Sequence, residues 1–215
     1  MKMTMGTSTL AAVVLAMPGM PLKSPEAVPT VASPTIELRD AMRKLWIDHV
    51  AWTRMYIISA VGGLPDLKPT TDRLLQNQVD IGNAVAGFYG AEAGTKLTAL
   101  LKDHILQAAE LVTASKAGDQ AKAADAKTRW YKNADEIAGF LAAANPKHWP
   151  VATLKSAMKT HLDQTLEEAS DRIQGKYDED IKDYDEIVAH ILTMADMLSS
   201  GIIAQFPEKF ASKKA

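Results

Sequence analysis

Leu45-Trp46-Ile47-Asp48-His49-Val50-Ala51-Trp52-Thr53-Arg54-Met55-Tyr56 decides the fold. Its large apolar side chains recur every three or four residues, which places them on one face of an α-helix. Extended both ways, the stripe reads Leu38, Ala41, Met42, Leu45 and Trp46, then His49, then Trp52, Thr53, Tyr56, Ile57 and Ala60. Pro34 suits a first helical turn, Glu37 suits the positive helix start, and Gly62-Gly63 stops the helix. A histidine therefore sits mid-helix, in the centre of a stripe that should face a core.

Five more helices follow by the same spacing. The second begins near Thr70, carries Leu74, Leu75, Gln78, Val79, Gly82 and Val85 inward, and closes at Phe88-Tyr89-Gly90. The third runs from about Ala91 to Ser115 through Leu97, Leu101, His104 and Ile105. The fourth covers about Asp119 to Ala144, with Asp119 as its cap and Trp130, Asn133 and Ile137 inward. The fifth starts at Pro150 and ends at Gly175, with Leu154, Met158, His161 and Leu162 on its stripe. In the sixth, from about Tyr177 to Ala204, Tyr184, Ile191 and Leu198 recur every seventh residue, as do Ile181, Val188, Ala195 and Ile202. That is a bundle seam. The connections are short, so successive helices should run antiparallel. The expected fold is all-α, an antiparallel bundle of about six helices over residues 36–210 followed by a short tail at 211–215. No short-period repeat of the solenoid type interrupts it.

Residues 1–35 differ from the rest. Thr9 to Met17 is an apolar run too short to span a bilayer as a helix, and it resembles the core of a signal peptide. Pro21, Pro25, Pro29 and Pro34 then imply an extended arm. The arm is expected to be a disordered leader, an export signal and linker, or a segment that docks on another copy of the chain in a homo-oligomer. Export would place the protein in the periplasm, at the cell surface or outside the cell; without a signal it is cytoplasmic. No integral membrane span is expected in the bundle itself. The net charge of −2 carries no nucleic-acid footprint. The absence of cysteine excludes disulfides and thiolate chemistry.

Antiparallel rods of similar length bring their midpoints to one height. His49, His104, His161 and His190 each lie near the middle of their own helix, so four imidazoles are expected in one cross-section. Glu186 shares a face with His190 at a spacing of four, and Glu168 follows His161 by two turns. Imidazoles with a carboxylate suit copper, zinc or iron, and two facing histidines could ligate a haem. The spacing is not the Glu-x-x-His pair of di-iron bundles, and no Cys-x-x-Cys-His attachment site is present. The alternative is a self-satisfied polar layer that sets helix register. Gln78 and Asn133 fall on their stripes and suit either version. Arg54, if it turns inward, should pair with an acid or hold an anionic ligand. No nucleophile–base pair stands out, which points away from an enzyme.

At Leu45-Trp46 to Ser59, at Trp130-Tyr131-Lys132-Asn133-Ala134-Asp135-Glu136-Ile137-Ala138 and at Gln205-Phe206-Pro207, the chain resembles an uncharacterised bacterial all-helical family. The similarity covers about residues 36–210. Members often carry the label acetylglutamate kinase or glycosyltransferase. Either activity would need alternating strands and helices, with Gly-rich phosphate loops in the kinase, and this sequence offers neither. The resemblance implies a helical fold and adds no catalytic residues. Two functions are therefore expected: a metal- or small-ligand-binding bundle with a histidine layer, or a structural, self-assembling module in which the arm makes the contacts.

Overall fold

The computed structural model describes residues 33–211. The expectations for an N-terminal signal and linker and for a docking arm fall almost wholly on residues outside that range. Six long helices make up the described unit: α1 (Pro34–Gly62), α2 (Leu67–Tyr89), α3 (Ala91–Ala117), α4 (Gln120–Ala144), α5 (Val151–Gln174) and α6 (Tyr177–Gln205). A single-turn helix, α7 (Pro207–Phe210), follows. Ser33 caps α1 through its hydroxyl, and Asp119 caps α4 by accepting from the Lys122 amide. The second helix starts a turn earlier than its stripe suggests. Pro69 is tolerated there because the first turn of a helix needs no N–H donor.

Each helix packs against its neighbours in sequence, and α6 closes the ring against α1. Across the middle α1, α3 and α5 also touch one another. Three helical hairpins thus surround one axis, with α1, α3 and α5 inside. Their sequences share a register that the stripes alone do not reveal. His49, His104 and His161 occupy equivalent positions. Seven residues before each stands a buried Met42, Leu97 or Leu154, and one residue after each a buried Val50, Ile105 or Leu162. Fourteen residues after each stands Gly63, Gly118 or Gly175, all with positive φ, closing the helix. In the return helix a polar side chain donates to the carbonyl four residues before the histidine: Asn77 to Leu45 at 3.0 Å, Asn133 to Leu100 at 3.1 Å and His190 to Ala157 at 2.9 Å.

The α2–α3 corner is tight. A Cβ on Gly82 would meet the Gly94 carbonyl oxygen at 2.7 Å and collide with Thr98 Oγ1, so only glycine permits this approach. Two of the residues expected inward are exposed instead. Ala41 lies at the edge of the α1 stripe, and Ile181 sits in the second turn of α6, outside the ring of packed helices. By length and composition α6 is apolar enough to cross a membrane, but its apolar residues Ile187, Ile191, Met194 and Leu198 are buried in the bundle.

Candidate functional site

Because α1, α3 and α5 face the axis in matching register, His49, His104 and His161 meet there. Their rings are buried at 3%, 2% and 4% exposure. The ring centroids of His49 and His161 lie 5.5 Å apart, and those of His104 and His161 6.5 Å apart. The layer crosses an otherwise apolar interior, so each nitrogen must find a partner.

His104 is fully partnered. Its Nε2 accepts from the Trp130 indole N–H at 3.0 Å, which leaves Nδ1 protonated and donating to Asn133 Oδ1 at 2.9 Å. His49 is held more loosely. Its Nδ1 lies 3.4 Å from Gln78 Nε2, which also donates to the Leu74 carbonyl at 2.8 Å and to Asn77 Oδ1 at 3.1 Å. Two protons therefore serve three acceptors, and the contact to His49 is the longest. His161 Nδ1 has no partner among the described residues, nor do Gln78 Oε1 and Trp46 Nε1, and all three atoms are buried. Burial pushes His49 down to about 3, with repulsion from His104 adding to it. Burial likewise pushes His104 down to about 4, against the hydrogen bond it donates to Asn133. His161 is held well below the ordinary imidazole range, first by burial and then by its three histidine neighbours. All three rings are neutral at physiological pH.

The other expected site residues lie outside this buried trio, His190 beside His161 at its edge. His190 is half-buried on α6 and donates Nε2–H to the Ala157 carbonyl. Glu186 is exposed, with Lys182 Nζ at 3.9 Å from its Oε1. Glu168 is buried but turns to α1, where Arg54 Nη1 binds its Oε1 at 2.6 Å. Arg54 also grips Asp180 through both terminal nitrogens, at 2.7 and 3.0 Å, and Arg172 adds a contact to Asp180 at 3.2 Å. The inward turn of Arg54 thus ends in an ion cluster tying α1, α5 and α6. Burial pushes Glu168 up to about 7, outweighing the opposing pull of Arg54. Among the described residues no group of three or more His, Asp or Glu side chains has a metal-holding arrangement.

Just beyond the histidine layer, toward the C-terminal ends of α1, α3 and α5, the interior opens into an apolar chamber of about 490 Å³. Thr53 and Thr165, each one turn past a histidine, stand at its inner end. Trp130 belongs to both places: it lines the chamber and holds His104. Ile57, Val112 and Ala169 form the middle of the wall, and Ser115, Gln120, Ser170 and Gln174 stand at the solvent side. Trp130 as the partner of His104, Asp180 as the anchor of Arg54 and the chamber itself are absent from the sequence reading. Trp130 stands three residues before Asn133 on the same stripe, which is a usable signal. Asp180 is one of three acids in the first turn of α6, and nothing in the sequence separates it from Asp178 or Glu179.

Fold and site together define an all-helical bundle with a buried imidazole layer beneath an apolar chamber. No family model, curated protein or solved structure matches the chain.

Proposed function

We propose that this protein binds a small apolar molecule in the chamber between α1, α3 and α5. One observation carries the reading: a chamber of about 490 Å³ with an apolar wall and a few neutral polar groups, set against the hydrophobic core. A volume of this size is ordinary for a small-molecule site, whereas packed interiors leave few voids larger than a water molecule. Titration with the neutral fluorescent probe N-phenyl-1-naphthylamine tests it. Saturable enhancement with one site per chain is expected, together with its loss in Ala169→Phe and Ala108→Phe, which fill the wall. Circular dichroism checks that the variants keep their helices. Absence of saturable binding, or equal binding by folded filled variants, overturns the reading.

A second reading concerns the layer itself. With both nitrogens of His104 committed, a copper, zinc or iron ion would rest on His49 and His161, and the unpartnered Nδ1 of His161 favours this. Neutral imidazoles are the ligating form. Elemental analysis of the purified protein and titration with Zn²⁺ or Cu²⁺ check it. One equivalent retained by the wild type and lost in His161→Ala supports the metal. No retained metal leaves the layer as scaffold.

A further inference from the structure

None of the residues lining the chamber carries a charge. This decides what kind of apolar molecule it can take. At the mouth a head group lies between half-buried Ser115 and Ser170 and loses part of its water, which weighs against a carboxylate or ammonium that meets no opposite charge. The ionic groups flanking the wall are already engaged: at the mouth Lys116 donates to the Ala60 carbonyl, Asp119 accepts from the Lys122 amide and Asp171 pairs with Lys176. Arg54 adjoins Thr53 in sequence and Glu168 adjoins Ala169, but the two are bound to each other, and Arg54 to Asp180 as well. The inner hydroxyls have also committed their protons. Thr53 donates to the His49 carbonyl at 2.8 Å and Thr165 to the His161 carbonyl at 2.9 Å. Tyr56 points its hydroxyl at the Ala109 carbonyl at 3.4 Å. The polar side chains facing solvent are at the mouth: Gln120 and Gln174, which are exposed, and Ser115 and Ser170, which are half-buried. All are neutral.

Resting on the chamber reading above, we infer that the ligand class is an uncharged amphiphile, such as a long-chain alcohol or ketone. Its apolar tail runs inward to Trp130 and its hydroxyl or carbonyl meets Ser115, Gln120, Ser170 and Gln174 at the mouth. Ten-carbon competitors that differ only in the head group test this on the full-length protein, through displacement of N-phenyl-1-naphthylamine. At about pH 8, 1-decanol is neutral while decanoate and decylammonium are charged. Decanol should displace the probe at concentrations at least about tenfold lower than either ion. Decanoate or decylammonium competing as well as decanol overturns the inference while leaving the chamber reading intact. Failure of the probe itself to bind overturns both. Gln174→Lys, at an exposed position, tests the orientation. It should strengthen decanoate competition about tenfold relative to decanol. Unchanged decanoate in that variant rules out a head group at the mouth.

Discussion

His104 has no hydrogen-bonding capacity to spare. A neutral imidazole offers one donor and one acceptor, and Asn133 and Trp130 take them both at 2.9 and 3.0 Å. Trp46, on the neighbouring helix, is buried with its indole N–H unpartnered. The two tryptophans therefore respond differently to the same change. Trp130→Phe leaves a buried imidazole nitrogen without its donor, at a cost of about 1–3 kcal/mol beyond the loss of ring volume. Trp46→Phe loses similar volume but removes a donor that nothing satisfies. The first variant should be less stable than the second by that margin in urea unfolding. Equal losses would mean that the indole–imidazole bond does not hold the layer.

At the scale of the helices, the layer follows from a register repeated three times. The stripes around His49, His104 and His161 were legible because their apolar spacing of three and four residues is strict, and matched rod lengths placed the three rings at one height. That reasoning could not say which rings face the axis. His190 has the same mid-helix position, yet it belongs to a return helix, where the equivalent places hold Asn77 and Asn133, and it bonds a backbone carbonyl as they do. Glu186 lies one turn before it on a shared face, but that face looks out to solvent. Glu168 is inward, as its stripe implied, but Arg54 competes for it and wins, because a buried carboxylate beside a guanidinium makes the stronger contact. The repeat itself escaped the sequence reading because little more than the histidine, the closing glycine and the pattern of core positions is shared, with spacings of 55 and 57 residues. The chamber was not legible at all. It depends on how far three helix ends diverge, and residue spacing along one helix does not encode that distance.

For the whole molecule, burying three neutral imidazoles sets the response to acid. Their folded values lie below the ordinary 6.5, at about 3 for His49, about 4 for His104 and well below the ordinary imidazole range for His161. Between about pH 4 and 6.5 the unfolded chain therefore binds up to three more protons than the folded one, so stability falls as pH drops through this window. Glu168 acts the other way. Its folded value of about 7 lies above the ordinary 4.5, so the native state holds one extra proton between those values. The histidines win by about two net protons near pH 5.5, or roughly 2.7 kcal/mol per pH unit at about 1.4 kcal/mol for each proton. Urea midpoints should be flat from about pH 7 to 8 with respect to these groups and fall steeply from pH 6.5 to 5. Glu168→Gln removes the opposing proton, so its decline should be steeper, near 4 kcal/mol per unit by the same arithmetic. A wild-type midpoint that holds steady or rises toward pH 5 would mean that the three rings are not buried and neutral together. A variant with an unchanged slope would mean that Glu168 ionises at an ordinary carboxylate value, with Arg54 fully offsetting its burial.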